Sequence, residues 1–231
     1  PYDIVTAEPP PPNNAGIARL YSREYFALVR SRLAEGGVAS YWLPAYQLRL
    51  ADSKAIVAAF CSAFADCTLW SGSGAEWILL GTRGARPATE EAFARQWRDP
   101  RVQPSLEAFG FDRPEHLGAT FIAGTEDLAR WTAGVPALDD DHPHRVSPAM
   151  VEVDVEPYLR FADLGLSRER FARSDFVRRV WPEGLRQRTL DAFASLGPVL
   201  AAGWVPYGVR PPGLGELHDL VAGTPARAGV L

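Results

Sequence analysis

At 231 residues, with 47% apolar and 23% charged content, the chain has an ordinary globular composition and enough apolar mass for one large core. Its net charge of -4 is spread without long runs, which excludes a polyanion-binding surface as the leading reading and gives no reason to expect nucleic acid as partner. No window holds the roughly 20 consecutive apolar residues of a membrane span, and no signal peptide is legible.

The chain opens with Tyr2-Asp3-Ile4-Val5-Thr6-Ala7-Glu8, an apolar run that ends in one carboxylate and then meets four prolines, residues 9–12. Proline can neither continue a ladder nor enter a helix interior, so this pattern predicts a buried strand that delivers Glu8 to its C-terminal end. In open α/β sheets that is the edge where ligands sit. A core-like strand at the second residue, with no initiator Met before it, reads as the back portion of a longer protein.

Residues 13–16 are a predicted loop. Ser22, with Glu24 behind it, predicts a helix start, and Tyr21, Tyr25, Val29 and Leu33 fall on one apolar stripe. Gly36-Gly37 is the expected stop. Residues 38–43 then read as a second strand, and strand, helix, strand within about forty residues is a βαβ unit with a parallel pair. Asp52 is expected to cap the next helix, with Ile56, Phe60, Ala63 and Phe64 on its apolar side. Residues 67–70 lead through Ser71-Gly72-Ser73-Gly74 into residues 76–81, a hairpin that closes the sheet antiparallel. Two cysteines, Cys61 and Cys67, are too few for a disulfide scaffold and read as buried small residues in a reducing compartment.

From Pro87 the character changes. Residues 89–97 and 125–131 are short predicted helices, with turns around Pro104 and Gly110 between them. Asp139, Asp140, Asp141, His142 and His144 offer metal-ligand chemistry, but their spacing fits neither a calcium loop nor a zinc pattern, so they read as a solvated acidic loop and no metal is expected. From about Val155 to Gly203 the pattern is helical, broken by Gly165 and Pro182, with Leu190, Phe193 and Leu196 on one face. The Arg168, Arg170, Arg173, Arg178 and Arg179 group reads as a wet helix face, with contact to a further domain or to lipid head groups as the alternative. His116 and His218 stand alone, and the Pro/Gly-rich tail from Pro206 reads as partly ordered. These shifts divide the chain into residues 1–86, 87–154 and 155–231.

Several of these stretches carry a resemblance. Tyr2-Asp3-Ile4-Val5 with Glu8, then Leu20-Tyr21-Ser22-Arg23-Glu24-Tyr25-Phe26, Arg32-Leu33, Gly36-Gly37-Val38, and Cys67-Thr68-Leu69-Trp70 through Gly74 into Trp77-Ile78-Leu79-Leu80, resemble the second half of a spermidine synthase, a polyamine aminopropyltransferase. The resemblance runs from Tyr2 to about Gly81 and is greatest to the bacterial branch whose synthase-like domain is fused behind membrane helices. It implies an α/β, Rossmann-like sheet of the class I methyltransferase type, its first strands and nucleotide loop upstream of Pro1, followed here by a helical C-terminal extension. It also implies attack by an amine nitrogen on the aminopropyl carbon of decarboxylated S-adenosylmethionine.

By that resemblance Glu8 matches the first acid of an Asp-x-x-Asp strand end and acts as base or amine anchor, while Pro11 stands where the second acid would be. Ala15, Gly16, Ile17 and Leu20 fall where the family packs the adenine, Trp70 where an aromatic borders the amine pocket, and Trp42 at a strand end that is usually polar. The implied co-substrate is decarboxylated S-adenosylmethionine or S-adenosylmethionine, with no prosthetic group. The implied partners are a small amine and the upstream part of the same protein, with a homodimer left open. The implied location is cytoplasmic, with a tether to the inner membrane through the upstream part as an open alternative. Two alternatives stay beside the transferase: an inactive synthase-like domain with a nucleoside-binding or structural role, and an S-adenosylmethionine-dependent methyltransferase.

Overall fold

The computed structural model describes residues 1–12, 15–72, 74–142 and 153–202, and these form an α/β architecture on a five-stranded mixed sheet of order β1-β2-β4-β3-β5. Strand β1 (Tyr2–Ala7) runs parallel to β2 (Leu33–Pro44). The crossover between them holds α1 (Ala15–Ala18), a 3-10 turn over Arg19–Tyr21, and α2 (Arg23–Arg32). Ser22 caps α2 as its sequence position predicts, its buried hydroxyl accepting from the Tyr25 N–H at 3.2 Å.

The expected helix stop at Gly36-Gly37 is corrected, because α2 already ends at Arg32 and Leu33 is extended. The two glycines serve a bulge inside β2 instead. Pairing jumps from Tyr2 opposite Leu33 to Ile4 opposite Val38, Gly36 adopts a φ of 80°, and a Cβ on Gly37 would sit 2.8 Å from the Tyr2 carbonyl oxygen.

Helix α3 (Leu50–Ala63) buries Ile56 and Phe60, with Phe64 just past its end. Its cap is Arg49, so Asp52 lies in the first turn, where a carboxylate suits the positive end of the helix, and does not cap it. The reading of two free thiols is corrected as well. Cys61 and Cys67 form a disulfide, because the turn after α3 brings their Cα atoms to 5.2 Å.

Strands β3 (Thr68–Ser71) and β4 (Glu76–Thr82) form the predicted antiparallel hairpin, and β4 inserts next to β2, antiparallel to it. Beyond the hairpin come α4 (Glu90–Ala94), α5 (Gln103–Ala108) and α6 (Pro114–Gly118). Pro104 starts α5 where a turn was expected, since the first helical positions lose nothing from a missing N–H. β5 (Phe121–Ala123) adds a fifth strand antiparallel to β3, and α7 (Thr125–Trp131) follows where the sequence predicts it.

The last described part holds α8 (Glu156–Phe161), α9 (Leu164–Arg173), α10 (Asp175–Val180) and α11 (Glu183–Ala202). Pro182 does separate two helices. Gly165 does not, since it lies in the first turn of α9, which Asp163 caps by accepting from the Leu166 N–H. His144, His218 and the tail from Pro206 lie outside the described residues.

The sheet separates two cores. On one face Tyr41, Leu43, Leu69, Trp77 and Leu79 pack under α2, α3, α7 and α8. On the other, Trp70 and Phe121 pack against Phe171, Val177, Trp181, Leu185 and Phe193. Leu196 joins this second core and Leu190 packs against it, so the predicted face of α11 is the buried one.

Strand β1 is the exception, and the expectation of a buried strand is corrected. β1 is an edge strand paired with β2 alone; Val5 and Ala7 pack on the first core, while Tyr2 and Ile4 on the opposite face are 61% and 69% exposed. Among the described residues no helix layer covers that side of β1, and the apolar residues there are exposed.

Two further readings change. Arg170 does not belong to a wet helix face: its side chain is 11% exposed, lies over the Phe161 ring at 4.5 Å and donates to the Phe161 and Ile122 carbonyls at 2.5 and 3.3 Å. His116 is not alone either. It is buried, donates through Nδ1 to the Gly110 carbonyl at 3.2 Å and accepts at Nε2 from the Arg113 Nε–H at 3.3 Å, which assigns the neutral Nδ1–H tautomer.

Candidate functional site

The residue types around the C-terminal ends of β1 and β2 explain how Glu8 is held. Glu8 is exposed one residue beyond β1, followed by the buried Pro9. Prolines leave carbonyl oxygens with no reciprocal N–H partner in a ladder, and a buried tyrosine hydroxyl must find an acceptor. The two needs meet at Tyr21, which is fully buried and donates to the Pro9 carbonyl at 3.0 Å and the Pro10 carbonyl at 3.2 Å. Behind it, Tyr41 of β2 donates to the Leu20 carbonyl at 2.5 Å and meets the Tyr21 ring edge-on at 5.4 Å between centroids. Burial raises both phenol pKa values well above the ordinary range, with Tyr25 and Tyr21 adding to the effect on Tyr41, so both stay protonated donors.

Register settles which of the sequence-predicted site residues come together. Ala7 lies opposite Tyr41 as the last pair of the parallel register, so Glu8 and Trp42 each follow that pair by one residue. Trp42 is half-buried. The backbone of Ala15 opens α1, Gly16 is exposed, and Ile17 and Leu20 are half-buried against the first core, all within the segment that leaves the proline run.

Trp70 stands apart. It is separated from β1 by three inter-strand steps, about 14 Å at the usual strand spacing, and it faces the second core. Its ring packs on Phe121 at 5.3 Å and Trp181 at 6.2 Å between centroids, and its Nε1–H donates to the Thr68 hydroxyl at 2.8 Å. Trp70 is thus a core residue here and does not border Glu8.

The acidic loop turns inward on its own groups. Asp139 accepts from the His142 backbone N–H at 2.7 Å, and the Asp140 N–H donates to Glu24 at 3.1 Å. The His142 contacts, backbone first, hold the Asp139 carboxyl below its usual range. Among the described residues no group of three or more His, Cys, Asp or Glu side chains could hold a metal ion, and no helix is long and apolar enough to cross a membrane.

Sequence reasoning missed Tyr21 and Tyr41 as the fastening of the Glu8 segment. The signal was present in part, since Tyr21 lies on the apolar stripe next to a proline run rich in free acceptors. It also missed a cavity of about 310 Å³ between α7 and α9, at the other edge of the sheet. What the β1 end can do chemically is limited to what an exposed carboxylate offers: it can hold a cation or accept a proton. No protein-family model, no curated protein and no solved structure matches this chain.

Proposed function

We propose that this chain is the C-terminal part of a spermidine-synthase-like transferase, moving an aminopropyl group from decarboxylated S-adenosylmethionine to an amine. The observation that carries the reading is the placement of Glu8: exposed, at the C-terminal end of β1, anchored through Pro9 and Pro10 to Tyr21, and, like Trp42, one residue past the Ala7–Tyr41 pair. In that role Glu8 holds the protonated amine and then takes its proton. The freed lone pair attacks the aminopropyl carbon, the carbon–sulfur bond breaks, and the sulfonium leaves as the neutral thioether methylthioadenosine. Support for a methyltransferase-type sheet comes from a parallel pair followed by an antiparallel hairpin whose second strand lies beside that pair.

The open edge of β1, with Tyr2 and Ile4 exposed, suits an upstream part of the same protein that would bring the nucleotide loop. Cytoplasmic placement, any membrane tether and a homodimer belong to this same proposal. Two observations favour a second reading, a synthase-like domain without polyamine chemistry that binds a nucleoside or serves a structural role: Pro11 replaces the second acid, and Trp70 is enclosed in a core. A methyltransferase using S-adenosylmethionine shares the fold and is the remaining enzyme alternative.

Calorimetry on the full-length protein with decarboxylated and ordinary S-adenosylmethionine, followed by product detection with putrescine, separates these readings. The transferase reading expects tight binding of the decarboxylated nucleotide and turnover that falls about 10²–10⁴-fold in Glu8→Gln with nucleotide affinity kept. Binding without turnover selects the second reading, and unchanged turnover in Glu8→Gln removes the role given to Glu8. If neither nucleotide binds, both enzyme readings fail.

A further inference from the structure

Among the described residues, the lining of the cavity between α7 and α9 has three arginines against two acids, Asp127 and Glu169. Asp127 is buried, and Arg130 and Arg173 both reach its Oδ1, at 2.5 and 2.6 Å, with the Nε of Arg170 at 3.9 Å from the same oxygen. Three guanidiniums therefore face one carboxylate. The exposed Glu169 at the rim, and Asp163 acting on Arg170, offset part of that positive charge.

These arginines differ in what else they do. Arg170 is committed to the Phe161 ring and to backbone carbonyls. Burial lowers its pKa, with Asp127 and Asp163 pulling it up and the Arg173 and Arg130 charges pushing it down. By contrast, the side chains of Arg130 and Arg173 are 62% and 54% exposed, and each spends an Nη on Asp127 and lines the cavity.

We propose that this cavity binds a phosphate dianion, free or as the head group of a small phosphomonoester, between the guanidinium forks of Arg130 and Arg173. Planar forks match phosphate oxygens two at a time, and a dianion draws on two half-exposed guanidiniums more strongly than a carboxylate does. The cavity's size, about 310 Å³, is at the small end for ligand sites and suits a head group with a short body against Leu166. Asp127 acts as a positioning residue that orients the two forks without touching the ligand. This site is separate from Glu8, at the opposite edge of the sheet, so it stands or falls independently of the transferase reading.

The test is isothermal titration calorimetry of the chain at low ionic strength with inorganic phosphate in one arm and glycerol phosphate in the other. Saturable one-site heat is expected, weakened about tenfold in Arg130→Gln and in Arg173→Gln. Glu169→Gln is expected to bind about two- to threefold tighter, a gain that a folding defect cannot produce. Equal or tighter binding of glycerol phosphate assigns the organic head group, and binding of inorganic phosphate alone assigns the free ion. The proposal is overturned if neither ligand gives saturable heat up to about 10 mM, if the two arginine variants bind like the parent, or if Arg101→Gln, on the exposed side chain paired with Asp99, weakens binding as much as they do.

Discussion

The two edges of the sheet are built on opposite plans. β5 is three residues long, yet Phe121, Ile122 and Ala123 are all buried, Phe121 into the second core and the other two into the first. β1 is twice that length, pairs on one side only among the described residues, and leaves Tyr2, Ile4 and Thr6 on one face exposed. The difference lies in the helices, since α9, α10 and α11 pack on the second face at the β3–β5 end and, among the described residues, nothing equivalent reaches β1. Burial on both faces is therefore found at one edge, while the accessible carboxylate is at the other.

The largest expected effect is at the closed edge. Phe171 meets Phe121, Trp181 and Phe193 at ring distances of 5.7, 5.9 and 5.8 Å, so Phe171→Ala should cost about 3–5 kcal/mol in urea unfolding through lost burial and the cavity it leaves. A cost below about 1 kcal/mol would mean the second core does not hold the sheet.

Between the edges, Tyr41→Phe strands the Leu20 carbonyl and should cost about 1–2 kcal/mol. It also carries a pH signature. Burial raises the Tyr21, Tyr41 and Tyr158 pKa values, so the native state keeps protons that the unfolded chain loses near its ordinary value of about 10. Their stabilisation is complete below that pH and is lost as pH rises toward the raised native values. The urea midpoint should fall between about pH 9 and pH 11, less steeply in Tyr41→Phe; an unchanged slope would remove Tyr41 from the account.

At the open edge, Ile4→Lys should change stability by no more than about 0.5 kcal/mol, because the side chain is already mostly in water. Its effect should appear in self-association, which a charge on an exposed edge strand suppresses. Light scattering of the variant and the parent sharpens the contrast, and a large loss of stability would show that β1 is better covered than its exposure indicates.

Much of the first eighty residues could be read directly. Ser22 as a cap, the strand–helix–strand order and the hairpin after Cys67 depend on neighbours within a few positions, and all are present, as is the helix over residues 125–131 further on. What failed depended on distant partners. Gly36-Gly37 has the composition of a helix stop, but the approach of β1 makes it a bulge. β5 is too short to leave a periodicity, and Arg170 looks like surface until Phe161 arrives beneath it. The pairing of Cys61 with Cys67 was the local exception, since it depended on the path of the turn after α3 between residues only 6 apart. Of the candidate site, the position of Glu8 at a strand end was legible from the prolines, but its fastening by Tyr21 and its distance from Trp70 were not.

The sequence by itself determined the order of strands and helices along residues 2–82, though not the starts of β2 and α3, and that one acid would stand at the end of the first strand, because caps, prolines and alternation act locally. Only the tertiary structure decided that this strand is an exposed edge, that Trp70 is enclosed, and that three arginines share one aspartate. Coverage and charge balance depend on which helices reach which face, and residues far apart in the chain set that.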